Sequence, residues 1–433
     1  MKEKMEQLEW AKEQIEKIKV ERKKDKDIRY FDRVRPIANF RDMMESSCKL
    51  YGDTVAIYYK INKSDKEFLS MTYNEYYDRI KALGTKLLML GLKGEKIAII
   101  GENSYMWGTS YLAVTCGTGV VVPIDRELEY NEIKNIIEAT EASAVIMDSK
   151  YKAVFTKMRD EDDVPLKAII DMNNEIYDED NDVLSYEALV KEGMKEIEKG
   201  NTEYLEADID NEALSIILYT SGTTGVSKGV MLSQKNICTV IMSAPNYLEI
   251  KAGEKFFSVL PIHHTYECTC GFLIPLFEGS SIIYPGGLRY LVQDLQASKP
   301  NIILGVPLIF ESLISKIWKG ARKFLPLYIV VSLGAFKYFA TQNIITNSQS
   351  PGIRAIRKIS TLSPAPLSSS INDAMDINIT ITTAIIFAIH FLLVIFSPFL
   401  FSISNIFYSR VLRMFPDDAA IYSLTPRNLT PYL

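Results

Sequence analysis

Short apolar runs recur along the chain at 54–59, 96–100, 120–123, 144–147, around Ile169, and at 213–218, 256–261, 281–284 and 302–307. Bounded by turn-forming or polar residues, they read as buried strands, the last two runs as strand or helix material. Between them the apolar period changes from two to about 3.6. Met71-Thr72-Tyr73-Asn74-Glu75 opens one such segment, in which Tyr76, Ile80, Leu83, Leu87 and Leu90 share a helical face until Gly91 stops it. Further helices are expected to about Leu50 after Phe40, around 107–117, at 131–139, behind the N-cap Ser233 to about Ser243, and at 290–298. Residues 1–25 read as a charged helix with a thin stripe of Met5, Leu8, Ile15 and Ile18. Its acids balance its bases, which favours a peripheral packing helix over a membrane-surface one. Strands alternating with helices imply an α/β fold built on mostly parallel sheets.

Composition narrows the function classes. With 433 residues there is length for two or three domains and a large core. A net charge of -5 gives no reason to expect a nucleic acid partner. Five cysteines are too few and odd in number for a disulfide framework, so a reducing cytoplasm fits. Cys268 and Cys270 read as free thiols in an apolar segment. The acidic stretches 160–163 and 175–182 read as solvated linkers flanking the strand near Ile169. The first 28 residues are crowded with Lys and Glu, unlike a signal peptide.

One stretch departs from the alternation. The strand at 213–218 runs into Tyr219-Thr220-Ser221-Gly222-Thr223-Thr224-Gly225-Val226-Ser227-Lys228-Gly229. Glycines let backbone approach a bulky anion, hydroxyls and N–H groups can turn toward it, and Lys228 adds a mobile cation. That is the composition of a phosphate cradle. It is not a Walker A loop: Gly222 and Gly225 are too close, and Lys228 is followed by Gly229 rather than Ser or Thr. A polar hairpin loop between two strands is the alternative. Downstream, the strand at 256–261 delivers Ile262-His263-His264-Thr265-Tyr266-Glu267 to its end, where open α/β sheets gather ligands. A loop histidine bonded to backbone is the bland reading. Beside a phosphate cradle, an imidazole facing an anion is the functional one.

The eleven-residue string resembles the phosphate loop of the AMP-forming adenylating superfamily, which includes acyl-CoA synthetases, luciferases and peptide-synthetase adenylation domains. The resemblance implies that Thr220, Ser221, Gly222, Thr223, Thr224, Gly225 and Lys228 hold the phosphates of ATP while a carboxylate attacks the α-phosphorus. It implies Mg²⁺ as the counter-ion and coenzyme A as the thiol that displaces AMP. Leu260 to Glu267 is similar to the family's Leu-Pro-x-x-His-x-x-Glu, which puts His264 at the family's position and His263 at a variable one. His264 and Lys228 are thereby the implied catalytic residues. Residues 91–127 also resemble the first subdomain of the family. Gly305-Val306-Pro307-Leu308-Ile309-Phe310-Glu311 with Ile317-Trp318 looks like the fatty-acid branch, implying a long-chain fatty acid as the carboxylic acid.

The motif-based resemblance covers about residues 30 to 322. The sequence holds neither a Tyr-Gly-x-Thr-Glu for adenine and Mg²⁺ nor a Thr-Gly-Asp for the ribose, and a lid lysine is not recognisable. Past Glu311 there is no glutamate, and residues 324–433 carry 7 Lys/Arg and 4 Asp. Three regions are therefore expected: a charged N-terminal helix at 1–29, a partial AMP-binding domain at 30–322, and an unmatched tail at 323–433. A reading-frame change or gene fusion would produce such a tail, as would a membrane-anchored variant or a divergent domain. Residues 381–403 are uncharged and mainly apolar, interrupted by His390 and Pro398, and pass a length test for a membrane span. Arg410 and Arg413 behind them favour a cytoplasmic C-terminus. The sequence thus predicts an acyl-CoA synthetase with a truncated adenylating fold and no lid domain. Its alternatives are an inactive nucleotide- or acyl-binding relative and a membrane-anchored scaffold. A cytoplasmic location is expected, with membrane association through 381–403 or the lipid substrate.

Overall fold

The computed structural model describes residues 2–22, 34–220, 228–244 and 249–322. Twelve strands are formed there: β1 (Val55–Tyr59), β2 (Leu69–Thr72), β3 (Lys96–Ile100), β4 (Val120–Pro123), β5 (Ala144–Met147), β6 (Ala168–Asp171), β7 (Leu184–Ser185), β8 (Leu214–Thr220), β9 (Lys228–Ser233), β10 (Lys255–Phe257), β11 (Ser281–Ile283) and β12 (Ile302–Ile303). The larger sheet has the order β7-β6-β5-β3-β4-β8-β9, the smaller one β12-β10-β11-β1-β2. Pairings are parallel except at the two hairpins, β8 with β9 and β1 with β2. The fold is α/β, with mostly parallel sheets layered with helices.

The apolar runs form the strands because both faces of the sheet are covered, leaving no place for alternating polar residues. All four residues of β5 and of β6 are buried. Helices Tyr130–Thr140 and Lys152–Asp160 bring Ile133, Ile136, Ile137, Phe155 and Met158 onto Ala98, Val122, Val145 and Ile169. Helices Tyr73–Met89 and Tyr186–Glu198 pack against each other. Gly193 permits the approach: a Cβ there would lie 2.0 Å from the carbonyl oxygen of Ala82. A second core joins Phe257, Ile283, Leu291 and Leu313.

Several elements differ from the sequence expectation for identifiable reasons. Met71 and Thr72 belong to β2, and Thr72 then serves as N-cap in a capping box with Glu75. The helix expected over 107–117 stops at Ala113 and continues as a wide π-type turn, Val114–Thr118, in which Gly117 takes φ +141°. Arg41 closes that turn by donating to the carbonyl oxygens of Cys116, Tyr204, Leu205 and Ala207 at 2.6–3.1 Å. Helices Lys152–Asp160 and Tyr186–Glu198 lay hidden under charge, the first burying only Phe155 and Met158. The 256–261 strand is cut to Lys255–Phe257, and within 302–307 only Ile302–Ile303 is strand.

Asp162 and Asp178 sit in the acidic stretches but are tied down. Asp162 accepts from Tyr130 Oη at 2.6 Å and Lys134 Nζ at 2.8 Å, and Asp178 from Lys152 Nζ at 2.8 Å. The N-terminal helix Lys2–Arg22 buries Ala11 and Ile15, while Met5 stays exposed. Gln7 of that helix donates to Ile209 O at 2.9 Å. The tail expected at 323–433, with the apolar stretch 381–403, lies outside the described residues. Among the described residues no helix is long and apolar enough to cross a membrane.

Candidate active site

β8 and β9 hold the two ends of the Gly/Ser/Thr loop. Their register pairs Tyr219 with Gly229 and Thr220 with Lys228, so the last two residues of the motif's frame face each other across a hairpin mouth. Lys228 and Thr220 are exposed there. Ser221, Gly222, Thr223, Thr224 and Gly225 lie outside the described residues. Antiparallel pairing of β8 with β9 fixes the two ends of the loop, as the hairpin reading expects.

The parallel neighbour of β8 is β4, with Val121 opposite Ile216. Four residues on from that pair stand Asp125 and Thr220, so both chains leave the sheet at the same level and the same carboxyl end. In parallel α/β sheets this end is the one that collects ligands. The His263-His264 pair arrives there from the smaller sheet. His263 Nε2 lies 3.3 Å from Asp125 Oδ1, and the two imidazole centroids are 4.2 Å apart.

Burial separates the two histidines. His263 is only 7% exposed, and its Nε2 has no hydrogen-bond partner of normal geometry among the described residues. Desolvation pushes its pKa down to about 4, with His264 and Arg126 adding to the shift and Asp125 opposing it. At neutral pH this ring is therefore uncharged. His264 is exposed, and its backbone is fixed by N–H donation to Pro261 O at 3.1 Å and by acceptance from Cys268 N at 2.9 Å.

Two further residues shape the loop. Asn103 follows β3 at the same sheet end. Its Nδ2 donates to Ser258 Oγ at 2.8 Å and Leu260 O at 2.6 Å, and its Oδ1 accepts from Ile262 N at 3.0 Å. One side chain thus fastens the segment leading to the histidines. Glu267 lies beneath, 1% exposed. Its Oε1 accepts from Ser258 Oγ at 2.7 Å, while Oε2 is without a partner among the described residues. Burial raises its pKa to about 8, so the neutral acid predominates below that pH. Gly271 makes room for it, since a Cβ there would stand 2.6 Å from the carboxyl carbon.

Of the sequence-predicted residues, the structure places Thr220, Lys228 and His264 at one end of the larger sheet. It adds Asn103 and Asp125, which sequence reasoning had not singled out. Their signal was available: both follow directly on strands β3 and β4 at the ligand-collecting end. Mg²⁺ takes six oxygen ligands, and the carboxylate Asp125 comes with two imidazoles. That donor set does not fit Mg²⁺. The thiols read as free are so: all five cysteines are unpaired, with Cys268 buried and Cys270 partly so. Burial pushes both up to about 12, which leaves them protonated and unreactive as nucleophiles.

The sequence matches the AMP-binding enzyme family over residues 44–360, and the chain belongs to that family. The match thus runs past the limit of the motif-based resemblance. A long-chain-fatty-acid–[acyl-carrier-protein] ligase of Arabidopsis thaliana is 30% identical over 310 residues, covering 67% of this chain and 41% of the plant protein. Fatty acyl-CoA synthetase B of Dictyostelium discoideum is 25% identical over 316 residues, 70% of this chain and 46% of its own. The matched region is thus less than half the length of these curated relatives. Among solved structures, a long-chain-fatty-acid CoA ligase from Rhodopseudomonas palustris superposes with a TM-score of 0.54 at 16% identity, covering 64% of this chain and 65% of the other. The anthranilate CoA ligase AuaEII in complex with anthranoyl-AMP gives 0.54 at 19% identity, over 65% and 50%. These likenesses show the fold: that of adenylating enzymes.

Proposed function

We propose that the chain is an acyl-activating ligase that joins a long-chain fatty acid to AMP from ATP, releasing pyrophosphate, and passes the acyl group to coenzyme A. The carrying observation is the convergence of the Thr220/Lys228 hairpin mouth and the His264 loop on one sheet end. The phosphates would lie in the loop, with Thr220, Ser221, Gly222, Thr223, Thr224 and Gly225 donating and Lys228 neutralising charge that grows on the leaving pyrophosphate. His264, exposed and fixed through its backbone, would meet the carboxylate as it attacks the α-phosphorus. The neutral His263 behind it adds no competing positive charge. In-line displacement needs little covalent help from protein, so positioning and charge are what these residues supply. Mg²⁺ would screen the phosphates from outside this residue set.

Long-chain specificity is supported by the name of the Arabidopsis thaliana relative and by the apolar 302–310 segment, in which Val306 and Leu308 are exposed. A reducing cytoplasmic compartment is supported by the unpaired cysteines. A second reading, ligand binding without turnover, is favoured by one observation: the adenine and ribose motifs are missing from the sequence. Incubating the full chain with ATP, a C16–C18 acid and coenzyme A separates the two. Acid-dependent release of AMP and pyrophosphate with acyl-CoA is the expected result. A thermal shift with ATP and acid but no acyl-adenylate would establish the binding-only reading. Alkaline carbonate washing of a membrane fraction tests the anchored scaffold: the account expects the chain in the soluble fraction.

A further inference from the structure

We propose that Asp125, His263 and His264 form a binding site for a divalent transition metal of the zinc class, distinct in chemistry from the Mg²⁺ that accompanies ATP. One ligand atom from each of the three lies within 4.8 Å of the other two. Two imidazoles and a carboxylate are a donor set that suits Zn²⁺ and its neighbours and disfavours Mg²⁺.

The geometry of the inner pair is what singles out the site. Zn–N and Zn–O bonds of about 2.0–2.1 Å at tetrahedral angles put two ligand atoms about 3.3–3.4 Å apart. His263 Nε2 and Asp125 Oδ1 are 3.3 Å apart. As a hydrogen bond this contact fails, and Nε2 is buried with no other partner among the described residues. A buried nitrogen without a partner is costly, and a metal between it and the carboxylate would remove the cost. Asp125 is held for the purpose by the backbone N–H of Glu127, which donates to Oδ1 at 2.9 Å. His264 is exposed, so its ring can swing to complete the set, leaving a fourth position to water. Arg126 opposes the cation, and the carboxylate of Glu127, 3.2 Å from its Nε, offsets part of that charge.

Occupancy would draw His264 away from the carboxylate, so zinc should inhibit adenylation competitively with the acid. That consequence rests on the proposed reaction, whereas metal binding itself does not. The test is therefore calorimetric titration of the nucleotide-free full chain with Zn²⁺, and with Mg²⁺ for comparison. Expected is one Zn²⁺ per chain at micromolar or lower Kd, no comparable Mg²⁺ uptake, and a loss of affinity on the order of 100-fold in His264→Ala and in Asp125→Asn. His264 is exposed, so its variant keeps the test usable if His263→Ala does not fold. His390→Ala and Cys268→Ser/Cys270→Ser should bind zinc as the parent does. Absence of uptake by the parent chain, or equal uptake by His264→Ala and Asp125→Asn, would overturn the site whether or not the chain adenylates.

Discussion

Adjacent histidines with the same side chain differ in burial, His263 enclosed and His264 exposed, and a buried carboxylate beneath them carries the clearest pH signature. Glu267 has an ordinary pKa of 4.5 and stands at about 8 in the fold because it is desolvated. Its folded-state value lies above the unfolded one, so its contribution to stability is full below about pH 4.5 and is lost as pH rises through about 8. Glu267→Gln keeps the shape and the acceptor for Ser258 Oγ but cannot ionise. Urea unfolding of both proteins should show the variant gaining on the parent as pH rises from about 5 to about 9. Parallel pH profiles for the two would show that Glu267 is not held as a neutral acid. Only part of this was legible in the sequence. Glu267 was recognisable as a motif residue, but its burial was not, because that depends on Ser258 and Gly271 closing around it in space.

Strands, turns and their ends carry the next level of the argument. The apolar runs of β3, β4, β5 and β8 were legible because parallel strands buried on both faces are uniformly apolar. Helices Lys152–Asp160 and Tyr186–Glu198 were not, because few of their residues reach the core and their surfaces read as linker. Beyond Phe257, where the expected 256–261 strand ends, Asn103 bonds Ser258 Oγ, Leu260 O and Ile262 N, while Ser258 N still donates to Ile283 O at 3.0 Å. Asn103→Ala should therefore lower stability by about 2 kcal/mol, since groups fixed by the amide lose their partner and water can replace only some of the bonds. It should also impair turnover, because the same segment aims His264. A denaturation midpoint and activity equal to the parent's would show that the segment is held by other contacts.

Across the whole molecule, two sheets deliver their chemistry to a common end: β3, β4 and β8 from the larger one, and the 258–267 segment following β10 from the smaller one. That Lys228 and His264 lie at the same end of the larger sheet could not be read from sequence spacing alone, as 35 positions and a change of sheet separate them. The register of β4 against β8 brings the ends of those strands to one level. The five loop residues from Ser221 to Gly225 rest on the motif alone.

The most direct test of the account is exchange of labelled pyrophosphate into ATP by the full chain, with and without a long-chain fatty acid, in the parent and in Lys228→Ala. The account predicts exchange that depends on the acid and falls on the order of 100-fold in the variant, the usual scale for removing a charge-stabilising group. Exchange at the parent's rate in Lys228→Ala, or none in the parent under any acid, would contradict it.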